Sequence, residues 1–230
     1  MDLRGVLDDV RTAAAMPRVR IVLSRGRPDE EALLRSFRRP HPRYKLVRFK
    51  TVGVALLPLD GVLDADAYLA ERRYARRRVG RAERLGYGFG LFEADERRAE
   101  LLEIHSSIPE RQGRPMDPEY LDPQAVYETG PHIEYAGVMR DDVVVAYSRL
   151  QYAGDIAGMM RVMGHGADLD NGVMFLLVAG IVGHVKAQHP ETRYVFYDTF
   201  FGAGPGLRTF KERLGFTPHH VRWTRGAPRA

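Results

Sequence analysis

Residues 156–188, IAGMMRVMGHGADLDNGVMFLLVAGIVGHVKAQ, place a strand pattern, a glycine-bearing loop and an apolar helix in immediate succession. Ile156–Met163 predicts a strand because turn residues bound a mostly apolar run. Gly164–Asn171 predicts a loop, and Gly172–Gln188 predicts a helix buried in the core because apolar residues occur on all its sides. This apolar run is shorter than the roughly 20 residues that cross a bilayer, so no membrane association is expected.

Further elements flank this segment on both sides. Two strands precede it, and a strand, a helix and a last strand follow it: Ile133–Val138, Val143–Tyr152, Arg193–Asp198, Leu207–Leu214 and Thr217–Thr224. Tight turns join the first three strands of this half, which predicts an antiparallel meander. Helices separate only the later strands. The order therefore predicts an α/β (α+β) fold with a mixed, mostly antiparallel central sheet flanked by helices.

The first half of the chain predicts a second set of elements. They are a short N-terminal helix, strands at Arg18–Leu23, Tyr44–Leu57 and Tyr87–Phe92, and helices at Asp29–Phe37, Asp64–Leu85 and Ala94–Ser107. Asp64 suits an N-cap and Gly86 suits the residue after a helix end, which favours one long helix between them. The proline-rich residues 108–131 predict an irregular segment. We therefore expect a strand-rich segment, residues 1–62, that packs on the main sheet of a core formed by residues 63–230, within one domain overall.

Composition excludes several classes of chemistry. The 230 residues include no cysteine, which excludes a disulfide scaffold, a thiolate metal site and a cysteine nucleophile. No spacing of histidines and carboxylates is typical of a metal site, so no metal is expected. A chain without cysteine fits a reducing compartment, and residues 1–20 lack the apolar run of a signal peptide, so we expect a cytoplasmic location.

The loop after the strand contains Arg161-x-x-Gly164-x-Gly166, with His165 between the two glycines. Glycines let backbone N–H groups approach a phosphate closely, and a helix N-terminus adds its positive end. An arginine beside them adds charge-assisted hydrogen bonds. The segment predicts a phosphate cradle, and an ordinary strand-to-helix turn is the alternative that remains open.

Arginines form a row on the predicted helix Asp64–Leu85. Arg73, Arg77, Arg81 and Arg84 share one face at helical spacing, and small or apolar residues form the stripe beside it. The row favours contacts with the phosphates of a nucleic acid. The alternative is a solvated surface that neighbouring glutamates partly neutralise.

The meander, the Arg161-x-x-Gly164-x-Gly166 segment before a crossover helix, and FKERLGF at 210–216 together resemble the GNAT superfamily of N-acyltransferases. The resemblance implies that Arg161 and the loop Gly164–Gly166, including His165, hold the pyrophosphate of an acyl-CoA donor. It also implies that the helix carrying Phe210 closes the far side of the cleft. One departure from the family is ADLDNG, residues 167–172, which separates Gly166 from a helix that normally follows at once.

A second resemblance, to one branch of that superfamily, rests on three stretches and reaches further back along the chain. RRVGRAERLGYGF (77–89), YVFYDTFF (194–201) and LRTFKERLGF (207–216) are similar to the Fem-type and related aminoacyltransferases. The resemblance to this branch implies an acyl group taken from aminoacyl-tRNA. A tRNA partner would suit the arginine row.

Strand ends carry the candidate catalytic residues Glu134, Tyr197 and Asp198. Amide formation needs a neutral amine, a polarised carbonyl and a protonated leaving group. Asp198 or Glu134 suits removal of the amine's proton, and Tyr197 suits proton donation to the leaving group. Alternation along a strand puts Tyr197 and Asp198 on opposite faces, so at most one of them faces a cleft. A loop-bracing Asp198 and an exposed strand carboxylate at Glu134 are the alternatives.

The residues and the resemblances together predict an N-acyltransferase that forms an amide. In the leading hypothesis, acyl-CoA donates its acyl group to the amine of a small molecule or peptide. The alternative is a Fem-like enzyme that transfers an aminoacyl group from tRNA to a small-molecule amine. A third hypothesis is a non-catalytic nucleic-acid-binding module of the same fold. The sequence identifies neither the acceptor nor the oligomeric state.

Overall fold

The computed structural model describes residues 16–24, 27–40, 48, 50–111, 114–200 and 203–226, which fall into two compact units. We call the described part of residues 1–58, 153–156 and 193–230 the terminal unit, and residues 59–152 with 157–192 the central unit. The predicted division after residue 62 stays a prediction, and the short N-terminal helix falls outside the described residues. Among the described helices, none combines the length and the apolar character that a membrane span needs.

The described residues form ten strands and six α-helices. The strands are β1 (Arg18–Ser24), β2 (Val54–Pro58), β3 (Gly88–Phe92), β4 (Glu110–Arg111), β5 (Arg114–Pro115), β6 (Ile133–Arg140), β7 (Val143–Ala153), β8 (Ile156–Gly164), β9 (Tyr194–Thr199) and β10 (Thr217–Gly226). The α-helices are α1 (Pro28–Arg38), α2 (Ala65–Ala70), α3 (Arg73–Arg84), α4 (Arg98–Ser106), α5 (Val173–Gln188) and α6 (Pro205–Arg213). The predicted order of strands and α-helices from β6 to β10 is confirmed.

The sheet of the terminal unit has the strand order β1-β10-β2-β9. Strands β1 and β10 are parallel, which the sequence analysis does not predict, and the other two pairs are antiparallel. Helix α1 begins at Pro28, whose fixed φ suits a first helical turn. The ring of Phe37 on α1 lies 5.2 Å from that of Phe196 and 4.6 Å from that of Trp223. Aromatic packing therefore joins this helix to β9 and β10.

The turn between β7 and β8 belongs to the terminal unit. The Asp155 amide donates to the carbonyl of Val22 at 2.9 Å, and the Asp155 carboxylate accepts from the Val22 amide at 2.8 Å. Gly154 has a φ of +50°, and a Cβ at this position would lie 2.0 Å from the Val22 carbonyl oxygen. Only glycine fits a turn that approaches β1 this closely.

The sheet of the central unit has the strand order β8-β7-β6-β3, and β6 is antiparallel to both β3 and β7. Asp141 and Asp142, with φ of 52° and 63°, make the tight turn between β6 and β7. Positive φ at both positions matches the twist of a two-residue hairpin. Helix α5 is mostly buried, and a Cβ on Gly180 would lie 2.2 Å from the Phe89 ring. The predicted strands of the meander and the buried apolar helix are thus confirmed.

The single helix predicted over Asp64–Leu85 is wrong. Helices α2 and α3 are separate, and Arg72 between them has non-helical backbone angles, φ −115° and ψ 66°. Both predicted ends are confirmed, because Asp64 accepts a hydrogen bond from the Ala67 amide at 2.8 Å and Gly86 has a φ of +83°. The break has no signature in the pattern, since buried residues continue across it at helical spacing: Tyr68, Ala75, Val79 and Ala82.

Other predicted boundaries need smaller corrections. Helix α4 starts at Arg98 rather than Ala94, because residues 94–97 form turns. Strand β2 starts at Val54 rather than Tyr44, because residues 50–53 form a turn and bends, while residues 44–47 and 49 lie outside the described residues. The irregular segment 108–131 is confirmed, since its described residues form only β4, β5 and one short 3-10 helix.

Candidate functional site

The loop of the predicted phosphate cradle is filled by the protein's own atoms. A Cβ on Gly164 would lie 2.6 Å from the sulfur of Met174 and 2.9 Å from a methyl carbon of Leu169. A Cβ on Gly166 would lie 2.9 Å from the carbonyl oxygen of Ser107. Both glycines are therefore required by packing inside the central unit, whatever ligand the loop binds.

Two backbone amides of this loop already have acceptors. The His165 amide donates to the Val145 carbonyl at 2.7 Å, and the Gly166 amide donates to the Ser107 hydroxyl at 2.9 Å. Residues 166–171 form a 3-10 helix, and α5 starts only after Gly172. The departure ADLDNG is thus a separate helical turn between the glycines and α5.

Arg161 on β8 is held by the irregular segment. Its guanidinium lies 3.4 Å from a carboxylate oxygen of Glu119 and 4.8 Å from the ring centre of Tyr120. The hydrogen bond from the His165 amide to the Val145 carbonyl implies that Arg149 on β7 lies opposite Arg161 in the antiparallel pair.

Arg149 carries a mostly buried positive charge near that of Arg161. Its guanidinium pairs with Glu128, and its Nε is buried with no hydrogen-bond partner among the described residues. Burial first, and then the charge of Arg161, lower the pKa of Arg149. The irregular segment therefore supplies one carboxylate to each of two adjacent arginines.

A histidine and several tyrosines line the same region. His105 on α4 contacts the Tyr120 carbonyl at 2.7 Å through Nδ1 and the Tyr147 hydroxyl at 2.6 Å through Nε2. Burial raises the pKa of Tyr147, and it raises the pKa of Tyr135 to about 12. These hydroxyls therefore stay protonated near neutral pH and can donate hydrogen bonds.

Lys211 on α6 is a buried cation in the terminal unit. The side chain is completely buried, and its Nζ donates to the Thr199 carbonyl at 2.8 Å. The Nζ lies 4.5 Å from the ring centre of Tyr197 and 5.6 Å from that of Phe200. Burial lowers the pKa of Lys211 to about 8, against a smaller opposing effect of Asp198. A positive charge is therefore kept at the carboxyl end of β9 at a cost.

The two candidates on β9 separate as alternation predicts. Tyr197 is buried beside Lys211, whereas the Asp198 side chain is 58% exposed and pairs with Lys50. Asp198 has a φ of +55°, in the left-handed region that few residues other than glycine adopt. Phe210 is half-buried on α6, next to Lys211. Catalytic and binding roles for these residues stay predictions.

Glu134 on β6 has polar partners within the central unit. Its carboxylate accepts a hydrogen bond from the Tyr152 hydroxyl at 2.7 Å and contacts Nε2 of His184 at 2.7 Å. His189 lies 3.6 Å from the other carboxylate oxygen. Burial acts to raise the pKa of Glu134, but the hydrogen bonds of Tyr152 and His184 outweigh it and the net direction is down. Glu134 is therefore a poor proton acceptor near neutral pH.

The arginine row is exposed on α3, as predicted. Arg73, Arg77, Arg81 and Arg84 face solvent, while Ala75, Val79 and Ala82 are buried. Within the part of the chain that the structure describes, none of the four forms an ion pair with a carboxylate. A groove of about 770 Å³ between α2 and α3 is lined by four arginines, Arg73, Arg76, Arg77 and Arg84, and by two carboxylates, Asp66 and Glu83.

The structure brings together some of the predicted residues and adds others. Asp198, Tyr197 and Phe210 lie in the terminal unit, whereas Glu134, Arg161, Gly164, His165, Gly166 and the arginine row lie in the central unit. Sequence reasoning missed Lys211, although Leu207, Lys211 and Leu214 share one face of α6 and Leu214 is buried. It also missed His184 and His189, which are some fifty residues from Glu134 and have no local signal.

Comparisons with known proteins identify solved structures of similar fold at low sequence identity. No family model and no curated protein matches the chain. The C-terminal domain of a putative lysylphosphatidylglycerol synthetase from Agrobacterium fabrum is 16% identical, with a TM-score of 0.51, over 74% of this chain and 58% of that one. FemX is 13% identical, with a TM-score of 0.57, over 73% and 59% of the two chains. A GCN5-related N-acetyltransferase from Kribbella flavida is 12% identical, with a TM-score of 0.41, over 73% and 54%.

The chain spans less than two thirds of the length of each of these proteins. At such identities the likeness concerns the fold and leaves substrate and donor open. The fold class predicted from the sequence, a mixed and mostly antiparallel sheet flanked by helices, is confirmed. The chain shares its fold with FemX and with the C-terminal domain of a putative lysylphosphatidylglycerol synthetase, so the predicted resemblance to a Fem-type fold is confirmed.

Proposed function

We propose that the chain is an aminoacyltransferase that takes its acyl group from aminoacyl-tRNA and forms an amide with the amine of a small molecule or peptide. The observation that carries the proposal is the arginine row on α3, which is exposed beside a groove and has no carboxylate partner among the described residues. Guanidiniums in such a row suit the phosphates of a nucleic-acid backbone.

The loop Gly164–Gly166 gives acyl-CoA, the leading donor of the sequence analysis, less support. A pyrophosphate bound there would need the amides of His165 and Gly166, which already donate to Val145 and Ser107. It would also need room that Met174 fills. The names of two structural neighbours, FemX and a putative lysylphosphatidylglycerol synthetase, support an aminoacyl group.

Lys211 and Asp198 are the residues of the terminal unit that suit the chemistry. The amine attacks the ester carbonyl of the aminoacyl-tRNA, a C–N bond forms, and the C–O bond to the ribose breaks. We assign to the buried ammonium of Lys211, which the Thr199 carbonyl holds in place, a through-space stabilisation of the oxyanion at the carboxyl end of β9. The exposed Asp198 takes the amine's proton and passes it to the ribose oxygen, which leaves as a hydroxyl.

Salt dependence of binding tests the donor. Four phosphate contacts give a slope of about −3.6 for log K against log salt, or a loss of roughly 10² in affinity between 50 and 200 mM. The test variant replaces the arginine row by glutamine, and the matched control replaces four exposed arginines of the terminal unit: Arg18, Arg35, Arg208 and Arg222. Fluorescently labelled aminoacyl-tRNA is titrated at both salt concentrations.

The row variant is expected to lose most of its affinity and most of the salt slope, while the control keeps both. Equal binding by the two variants would make the row a solvated surface and refute the tRNA donor. A parallel assay offers acetyl-CoA and a panel of amines. Turnover of acetyl-CoA that is indifferent to the row variant would establish the acyl-CoA alternative instead.

A further inference from the structure

Two imidazoles and a carboxylate converge in the central unit, away from the residues assigned above. Glu134 lies on β6, His184 lies on α5, and His189 follows the last residue of α5. One ligand atom from each lies within 4.8 Å of the other two. The Nε2 atoms of His184 and His189 are 2.7 and 3.6 Å from the Glu134 carboxylate oxygens.

These separations lie close to the spacing of ligands around an ion. Zinc bonds of about 2.0–2.2 Å put the ligand atoms of a tetrahedral site roughly 3.3 Å apart. The two measured contacts fall on either side of that value, so small side-chain rotations of His184 and His189 would admit an ion. Three protein ligands leave a fourth position for water, as in open zinc sites.

The end of α5 makes this arrangement feasible. Positions five residues apart on a continuous helix do not share a face. The helix ends at Gln188, however, and His189 has non-helical backbone angles, φ −132° and ψ 59°. Its ring therefore turns to lie beside His184, with the two ring centres 6.0 Å apart.

Outer groups fix two of the three ligands. The Tyr152 hydroxyl donates to Glu134 at 2.7 Å, and the Tyr152 ring stacks on the His189 ring at 3.8 Å. Glu191 lies 3.8 Å from Nδ1 of His189, the nitrogen that would not bind the ion. A carboxylate behind a ligating imidazole and a donor on a ligating carboxylate are typical of metal sites.

We propose that Glu134, His184 and His189 bind one divalent transition-metal ion, with Zn²⁺ as the reference ion. Imidazole nitrogens with a carboxylate oxygen form a borderline donor set that suits zinc and its neighbours over Mg²⁺ or Ca²⁺. The bound ion joins β6 to the end of α5. It stabilises the central unit by mass action, because the unfolded chain does not hold the three ligands together.

The test uses the full chain without a histidine tag, stripped with a chelator and titrated with Zn²⁺ by calorimetry. Co²⁺ serves as a visible-absorbing substitute that reports a four-coordinate site. Wild type and the control His220→Gln, which changes a histidine of the terminal unit, are expected to bind one equivalent. His184→Gln and His189→Gln are expected to bind at least 10-fold more weakly, and Tyr152→Phe to weaken binding by about 10- to 100-fold.

Circular dichroism before titration shows which variants are folded. His189 lies beyond the end of α5, so His189→Gln is expected to stay folded. Zn²⁺ binding can therefore be measured on this variant even if His184→Gln, inside the helix, does not fold. Wild type that binds no Zn²⁺ would overturn the proposal. So would one equivalent bound equally by wild type, His184→Gln and His189→Gln, because the ion would then lie elsewhere.

Discussion

Replacing Lys211 by methionine removes a buried ammonium from the terminal unit. Burial lowers the pKa of Lys211 from 10.5 to about 8. A pKa difference of about 2.5 means that the charged form destabilises the folded state by about 3 kcal/mol at neutral pH. Loss of the hydrogen bond to the Thr199 carbonyl removes about 1 kcal/mol. Methionine is therefore expected to raise the free energy of unfolding at pH 7 by about 2 kcal/mol.

The difference between the pKa values of Lys211 in the folded and unfolded states makes the free energy of unfolding depend on pH. Between about pH 8 and 10.5 the unfolded chain keeps the proton of Lys211 and the folded chain loses it, so the stability of the wild type rises with pH in this window. The variant lacks this rise. Urea unfolding from pH 7 to 10.5 measures the free energy of unfolding of wild type and variant. In the difference between the two values, the contributions of the other titrating groups cancel. Lys186→Met, at a half-buried lysine of the central unit, is the matched control.

Activity is expected to move in the opposite direction. Loss of a buried charge that stabilises the oxyanion through space should lower kcat of Lys211→Met by roughly 10- to 100-fold. Two results would refute the reasoning. The first is a variant less stable than wild type at pH 7, and the second is a pair of stability curves that run parallel between pH 8 and 10.5.

The remaining predictions concern packing and proton transfer. Gly180→Ala should lower the free energy of unfolding by about 1–3 kcal/mol, because its Cβ meets the Phe89 ring. Gly206→Ala on α6 has open space and should raise it by about 0.5–1 kcal/mol, and urea unfolding measures both. Asp198→Asn keeps a residue that tolerates positive φ, so the fold should persist while kcat for transfer falls by roughly 10²-fold or more. Full activity in this variant, or the same loss in Lys50→Met, would show that Asp198 does not take the amine's proton.

The sequence predicts the ends of a helix well where the capping residue acts through its own side chain or backbone angle. Asp64 caps α2 through its own side chain, and Gly86 ends α3 through its own φ, so both are legible in the sequence. The break at Arg72 is different, because apolar spacing continues through it. The parallel pairing of β1 with β10 depends on residues some two hundred positions apart, and no local pattern records it.

The candidate sites are less legible than the fold. Glu134 is a reasonable candidate from its strand position, but its partners His184 and His189 come from α5 and its end. Arg161 is found by a motif, yet its contacts are Glu119 and Tyr120 of the irregular segment. Contacts between such distant residues do not appear in the local sequence pattern, because they depend on how separate elements pack together.

Lys211 is the one missed residue for which a signal exists. On α6 it occupies the face of Leu207 and Leu214, where a helix that packs on a core normally carries an apolar residue. A lysine there violates the binary pattern, and such violations are expected at functional sites. A buried cation lowers stability, so its presence on this face favours a role for the charge itself. A Lys211→Met variant that is more stable and less active would show that the charge lowers stability and also serves the reaction. A variant that is more stable and fully active would show that the charge has no role in the reaction.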